Sequence, residues 1–215
     1  MTLHERGTFA HVSSSVMDWT PSPSATVWRK RLFHEGGKES GVVTSVVRYE
    51  EGSSFHRHEH PGGEEILVLS GTFSDDRGDH PAGTFMLNPE GYGHAPQSPE
   101  GCDLFVRLQQ FPGSQQVRID TTSGWQSHSE YDGLEVIELH TPDAGPAHYR
   151  MLRMSAGLEV PSVPIPAGEE IFVVSGAFSD EHGDYEEGDW VRYPAGSAHS
   201  PRSESGATLL IKRGV

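Results

Sequence analysis

The chain has 215 residues with a formal net charge of −15, 34% hydrophobic residues and one cysteine. So acidic a balance argues against nucleic acid or an anionic membrane surface as a partner. Because one cysteine cannot form an internal disulfide, and because neither an apolar export segment nor a run of membrane-spanning length is present, we expect a cytoplasmic protein.

The chain opens with a predicted short polar strand at about residues 9–15, followed by Trp19 and an edge strand. Turn formers are abundant throughout, with 25 glycines and 15 prolines, and long apolar helical stretches are absent. Short strands separated by frequent turns are typical of β-sandwiches and barrels. The sequence therefore predicts an all-β protein.

Residues 52–71 read GSSFHRHEHPGGEEILVLSG and place histidines at alternate positions before two glutamates. Successive side chains of a β-strand point to opposite faces, so His58 and His60 would project from the same side. Pro61 favours an extended backbone at His60, and the two glycines after it allow a bend before Glu64 opens the next strand. Two imidazoles and a carboxylate could therefore converge on one metal ion.

Residues 83–96 read GTFMLNPEGYGHAP, in which a proline–glycine turn delivers His94. Two β segments joined by the DDRGD turn around Gly78 would bring His94 beside Glu64 as a fourth ligand. The acidic residues of that turn are interpreted as turn formers rather than as catalytic acids: Asp75, Asp76 and Asp79. Farther along, Cys102 lies in the apolar strand CDLFVRL and is predicted to be a small buried side chain rather than a reactive thiol.

These two stretches have the spacings G-x5-H-x-H-x3-E-x6-G and G-x5-P-x-G-x2-H, and they resemble the two motifs of the cupin superfamily. Ser98 departs from the pattern, since the second motif usually ends in asparagine. The resemblance implies a small antiparallel β-barrel, of the double-stranded β-helix or jelly-roll kind, with one divalent metal bound by four residues: His58, His60, Glu64 and His94. The competing interpretation is a solvated histidine-rich loop that binds metal only adventitiously.

Three imidazoles and one carboxylate suit zinc or iron, and manganese, nickel and copper are also compatible. In an octahedral metal these ligands leave two positions open for water, dioxygen or a chelating ketone. His56 shares the strand parity of the ligands and Tyr92 lies beside His94, so both are candidates for supporting the site or lining its pocket. Glu65 alternates with Glu64 and is expected to face away. The sequence assigns no catalytic residue.

The chain contains this unit twice, because its central segments recur 105 residues later, as where Glu169–Ile171 repeats Glu64–Ile66. The second unit would begin, like the first, with a polar strand, at about residues 115–121. Proline and glycine end strands, so the boundary is placed at the Pro-Gly-Ser segment between the copies. The predicted divisions are a metal-binding N-terminal cupin domain at 1–111, a linker at 112–114 and a C-terminal cupin domain at 115–215.

The second copy has lost half of the ligand set, because Val163 and Ile165 stand at the positions of the two alternating histidines. Only Glu169 and His199 remain, and two ligands are too few to hold a metal against water. We therefore predict a C-terminal barrel without metal, in which Glu169 and His199 satisfy each other by a hydrogen bond. The retained pair is either a remnant kept by packing or the acid and base of a small-ligand pocket.

Residues 62–102 resemble the ChrR-like cupin domain, the zinc-binding C-terminal part of a class of anti-sigma factors, and the second copy carries the same FSD…HGDY hairpin. The resemblance covers nearly the whole chain and leaves two functions open: a metal-dependent dioxygenase or related enzyme acting on a small diketone or hydroxyketone, or a non-enzymatic zinc-binding regulator or stress sensor. Relatives of the same barrel also include dioxygenases that cleave diketones or hydroxyacetophenones with a histidine-bound iron. The anti-sigma module, with its paired cysteines, has no counterpart here, so we expect a small-molecule ligand and no sigma-factor partner. A homodimer is expected from the family alone.

Overall fold

The computed structural model describes residues 4–37, 40–111, 113–141 and 147–215, which fold into two units. These residues form 24 β-strands and no helix, which confirms the predicted all-β class. Nowhere in this part of the chain is there a helix of the length and hydrophobicity that crossing a bilayer requires.

The strands of the first half of the chain are β1 (Ala10–Ser13), β2 (Thr20–Pro21), β3 (Val27–Glu35), β4 (Val42–Tyr49), β5 (Ser53–Ser54), β6 (His58–Glu59), β7 (Glu64–Asp75), β8 (Gly78–Pro81), β9 (Thr84–Asn88), β10 (Gly93–His94), β11 (Gln97–Ser98), β12 (Cys102–Leu108) and β13 (Val117–Asp120). Those of the second half are β14 (Gln126–Ser127), β15 (Leu134–His140), β16 (His148–Met154), β17 (Leu158–Glu159), β18 (Val163–Ile165), β19 (Glu169–Asp180), β20 (Gly183–Glu186), β21 (Asp189–Tyr193), β22 (Ser197–His199), β23 (Arg202–Ser203) and β24 (Ala207–Arg213).

In the N-terminal unit, seven strands pair in the order β13-β9-β7-β12-β4-β3-β2, and β6 pairs with β10. The long strand β7 pairs with β9 and β12 along its first part and with β8 and β11 beyond Gly71. Gly71 has a φ of 69°, and a Cβ there would lie 2.1 Å from the carbonyl oxygen of Gly101. Only glycine fits this bend, which lets one strand serve both faces of the barrel. Cys102 is buried in the core, as predicted.

The C-terminal unit repeats this arrangement with strands in the order β1-β21-β19-β24-β16-β15-β14 and with β18 paired to β22. Its long strand β19 bends at Gly176, where an added Cβ would lie 2.2 Å from the carbonyl oxygen of Gly206. The two units thus share topology and bend position, which confirms two tandem barrels.

The lead-in strands are exchanged between the repeats. β1 pairs with β21 of the second repeat, and β13 pairs with β9 of the first. The compact units accordingly comprise Val16–Thr122 on one side, and His4–Ser15 with Ser123–Val215 on the other. This division differs from the predicted ranges 1–111 and 115–215, because a polar edge strand does not encode which barrel it completes. Of the predicted 112–114 linker, residue 112 lies outside the described residues, and 113–114 lie between β12 and β13 of the N-terminal unit.

Candidate metal centre

Three histidines meet at one end of the N-terminal barrel. β6 pairs antiparallel with β10 and places His58 opposite His94. His60 follows one residue after β6, and its Nε2 lies 3.3 Å from Nε2 of His94. One ring nitrogen of each histidine lies within 4.8 Å of those of the other two. Three imidazole nitrogens gathered in this way could hold one metal ion.

Glu64 borders this group from the start of β7. Its Oε1 lies 3.3 Å from Nε2 of His60, and its Oε2 lies 3.6 Å from Nε2 of His94. Asn88 of β9 donates a hydrogen bond of 3.1 Å to Oε2 of Glu64 and so fixes the carboxylate from the neighbouring strand. Two consecutive glycines with positive φ, Gly62 and Gly63, turn the chain between His60 and Glu64 as the sequence predicted.

The chemistry of these donors fits a metal ion. Burial lowers the pKa of His60, and although Glu64 raises it, the two neighbouring imidazoles lower it further. His60 is therefore held neutral near pH 7, as a metal-binding imidazole must be. His94 and Glu64 are buried, while His58 and His60 are partly exposed, so the group is reachable from one side.

A backbone carbonyl orients His58. Nδ1 of His58 donates a hydrogen bond of 2.8 Å to the carbonyl oxygen of His56. Nε2 of His58 is then unprotonated, and its lone pair is available to a metal ion. The side chain of His56 is itself exposed, with its ring centroid 6.1 Å from that of His58. The predicted supporting role therefore belongs to the backbone of His56 rather than to its imidazole.

Asp75 forms the turn as predicted, since its Oδ1 accepts a hydrogen bond of 2.9 Å from the backbone N–H of Arg77, and it also supports His94. Its Oδ2 lies 3.4 Å from Nδ1 of His94 and accepts a hydrogen bond of 3.0 Å from the hydroxyl of Tyr92, while Oδ1 lies 3.1 Å from Nε2 of His80. Burial raises the pKa of Asp75, but the hydrogen bonds from His80 and His94 outweigh it and hold the pKa far below its usual range. The carboxylate therefore fixes the tautomer that leaves Nε2 of His94 unprotonated.

Tyr92 takes part in the same network. Its side chain is buried, and its ring centroid lies 5.5 Å from that of His94. It supports the histidine from behind instead of lining the pocket rim. Glu65 faces away from the site as predicted, and Nη1 of Arg107 donates to it at 3.0 Å.

Replacing Asp75 by asparagine should weaken metal binding about 10-fold to 100-fold, the usual cost of losing a group that orients a ligating histidine. An amide can donate to His94 and so favour the wrong tautomer. Competition with a fluorescent chelator would measure the affinity. Asp76→Asn is the matched control, because Asp76 is the exposed next residue and pairs with Arg57. Equal affinities for the two variants would contradict the role given to Asp75.

A cavity of about 370 Å³ adjoins the three histidines and Glu64. Its wall is mainly apolar and comes from strands of the same barrel and from Phe55, which follows β5: Val47, Phe55, Ile66, Phe73, Leu104 and Val106. Its volume falls within the range of small-molecule sites, about 300–1,000 Å³. The candidate metal donors thus lie in a mainly apolar pocket, which Arg29 and Arg31 also line.

In the C-terminal unit the corresponding positions hold a different arrangement. Val163 of β18 lies opposite His199, as His58 lies opposite His94. Nε2 of His199 and Oε1 of Glu169 are 3.3 Å apart, so the two side chains pair with each other as predicted. Each has a further partner that the sequence did not indicate, since Arg213 donates to Glu169 and Asp180 lies 3.1 Å from Nδ1 of His199.

The stability of this unit should depend on His199. Burial would lower the pKa of His199, but Asp180 and Glu169 raise it to about 9, above its ordinary 6.5. Stabilisation by the protonated ring is therefore complete below about pH 6.5 and is lost as pH rises through about 9, by up to about 3 kcal/mol. Urea unfolding at a series of pH values should show this loss in the native protein but not in His199→Gln. A parallel loss in that variant would contradict the assignment.

Comparison with known proteins agrees with this architecture. The sequence model of the family described as ChrR Cupin-like domain matches residues 8–112 and 114–215. A search of curated proteins finds no match. A candidate dioxygenase of Nostoc punctiforme PCC 73102 is 12% identical with a TM-score of 0.79, over 97% of this chain and 84% of that one.

Two further similar structures are of proteins that contain a metal. The bacterial pirin YhhW of Escherichia coli, in complex with nickel(II), is 15% identical with a TM-score of 0.71, over 96% of this chain and 98% of that one. The oxalate decarboxylase of Bacillus subtilis, with Mn(II) centres, is 13% identical with a TM-score of 0.67, over 95% of this chain and 76% of that one. At these identities the likeness shows the fold, and each of these proteins covers both units.

Proposed function

The chain belongs to the family of ChrR cupin-like domains, and from its N-terminal site we propose that it is a metal-dependent dioxygenase of small organic ketones. The metal is held by three imidazoles and one carboxylate: His58, His60, Glu64 and His94. One observation carries the proposal, namely that these donors border an apolar cavity of about 370 Å³. A purely structural metal site has no need of such a space.

Bound iron would supply Lewis acidity and a route for electrons between an organic substrate and dioxygen. The residues of the chain prepare the site for it. Asp75 and the carbonyl of His56 fix two imidazoles in the ligating tautomer, and Asn88 holds Glu64. The apolar wall excludes water and accepts the hydrocarbon part of a diketone or hydroxyketone.

Metal analysis of the native protein followed by oxygen uptake tests the proposal. We expect about one iron ion per chain and oxygen consumption equal to substrate loss when a 1,3-diketone or an aryl hydroxyketone is added. His94→Ala should show neither. Iron-loaded protein that consumes no oxygen with either class of ketone would refute the dioxygenase assignment.

The second candidate is a non-enzymatic zinc-binding regulator, which the description of the family as ChrR-like favours. It predicts stoichiometric zinc, no turnover, and binding of a protein partner that changes with oxidant or metal. Zinc in the native protein together with inactivity of the iron-loaded form would select this candidate.

A further inference from the structure

The C-terminal unit contains a second cavity, of about 260 Å³, in the position equivalent to the first. Its wall is again mainly apolar: Leu152, Met154, Val160, Ile171, Leu209 and Ile211. Its polar end holds Glu169 and His199, and two arginines join them there, Arg150 and Arg213.

The two arginines replace neutral residues of the N-terminal cavity. Arg150 stands where Ser45 lines the first cavity, and Arg213 stands where Leu108 does. The strand pairings make the positions equivalent, because Arg213 faces Glu169 across β24 and β19 as Leu108 faces Glu64 across β12 and β7. The first cavity is also lined by two arginines, Arg29 and Arg31, so the two cavities differ in where their cations lie.

The charged groups at this end of the cavity differ in their direct partners. Glu169 is paired with Arg213, and His199 lies between Glu169 and Asp180. Nη2 of Arg150 donates to Nδ1 of His148 at 2.7 Å. Among the described residues, no carboxylate lies at ion-pair distance from Arg150, and its Nε is buried without a hydrogen-bond partner.

Two carboxylates, those of Glu138 and Glu169, act on Arg150 through space and not by direct contact. Glu138 is engaged by His148, and Glu130 is an exposed residue of the cavity wall. Burial lowers the pKa of Arg150. The carboxylates of Glu138 and Glu169 raise this pKa and Arg213 lowers it, and the net effect is a lowered pKa. Arg150 is partly buried, its Nε has no hydrogen-bond partner and no carboxylate of the described residues contacts it, so an anionic ligand would supply the missing direct contact.

We propose that this cavity binds a small organic anion, a carboxylate with a short apolar chain, with Arg150 and Arg213 as its anchors. A planar guanidinium recognises a carboxylate through two parallel hydrogen bonds. The apolar wall accepts the hydrocarbon chain, and the volume limits it to a few carbon atoms. This site is separate from the metal centre and does not depend on the proposed oxygenase activity.

Methyl NMR on metal-stripped full-length protein with 13C-labelled methionine can test the site. Met154 lines the C-terminal cavity, whereas Met86 lies in the core of the N-terminal unit. Hexanoate at millimolar concentrations should shift the Met154 signal and leave that of Met86 unchanged. The neutral analogue hexanamide should bind at least about tenfold more weakly, because it cannot form the charge-assisted contacts.

Arg150→Gln should weaken hexanoate binding roughly 10-fold to 100-fold. Arg202→Gln is the charge-matched control, since Arg202 is exposed on β23 and does not line the cavity, and it should leave binding unchanged. The proposal is overturned if hexanoate does not shift Met154, if hexanamide binds equally well, or if Arg150→Gln folds and binds hexanoate like the native chain. Tighter binding of inorganic phosphate than of hexanoate would also overturn it.

Discussion

His94→Ala should reduce the metal content of the protein from about one ion per chain to less than about a tenth of that. His94 is the most buried of the three histidines and is fixed from behind by Asp75. Its removal leaves two partly exposed imidazoles and one carboxylate, which must then compete with water and buffer. Elemental analysis after gel filtration, at equal protein concentration, measures the change.

The matched control is His199→Gln, which changes the equivalent histidine of the other repeat. It should leave the metal content unchanged, because Val163 lies opposite His199 and cannot ligate. A metal content that falls equally in both variants would place metal in the C-terminal unit. Full occupancy in His94→Ala would show that the assigned ligands are wrong.

The candidate ligands could be predicted from sequence because local rules determine their geometry. Alternation along a strand places His58 and His60 on one face, and glycines at Gly62 and Gly63 supply the backbone bend that follows. The hairpin then returns His94 to their side. Each of these steps depends on residues close together in the chain, and the recurrence of the pattern 105 residues later predicted the second barrel.

The supporting residues depend on contacts that no local rule specifies. Asp75 lies in a sequence typical of a turn, yet its carboxylate is directed inward to His94, 19 residues away. The recurrence of Asp75 as Asp180, which contacts His199 in the same way, was an available signal. The position of Arg213 at the cavity could not be predicted locally, because it depends on the pairing of β24 with β19. The exchange of lead-in strands likewise depends on which of two similar barrel edges accepts a short strand.

The pair of Glu65 and Arg107 should make the largest single contribution of charge to the stability of the N-terminal unit. Arg107 is fully buried, and its Nη1 lies 3.0 Å from Oε2 of Glu65 across β12 and β7. Glu65→Gln leaves a buried guanidinium without that carboxylate, so we expect a loss of about 3 kcal/mol. The midpoint of thermal unfolding of this unit should fall by roughly 10 °C.

Asp103→Asn provides the comparison, because Asp103 of β12, like Glu65 of β7, pairs with an arginine on the neighbouring strand. Its partner Arg48 is 46% exposed, however, so the solvent screens the pair and its loss should cost less than about 1 kcal/mol. Metal content should stay unchanged in both variants, since Glu65 and Asp103 lie outside the ligand group. Equal destabilisation by the two substitutions would mean that burial of the Glu65–Arg107 pair does not determine its strength, and that Arg107 is stabilised chiefly by its other contacts.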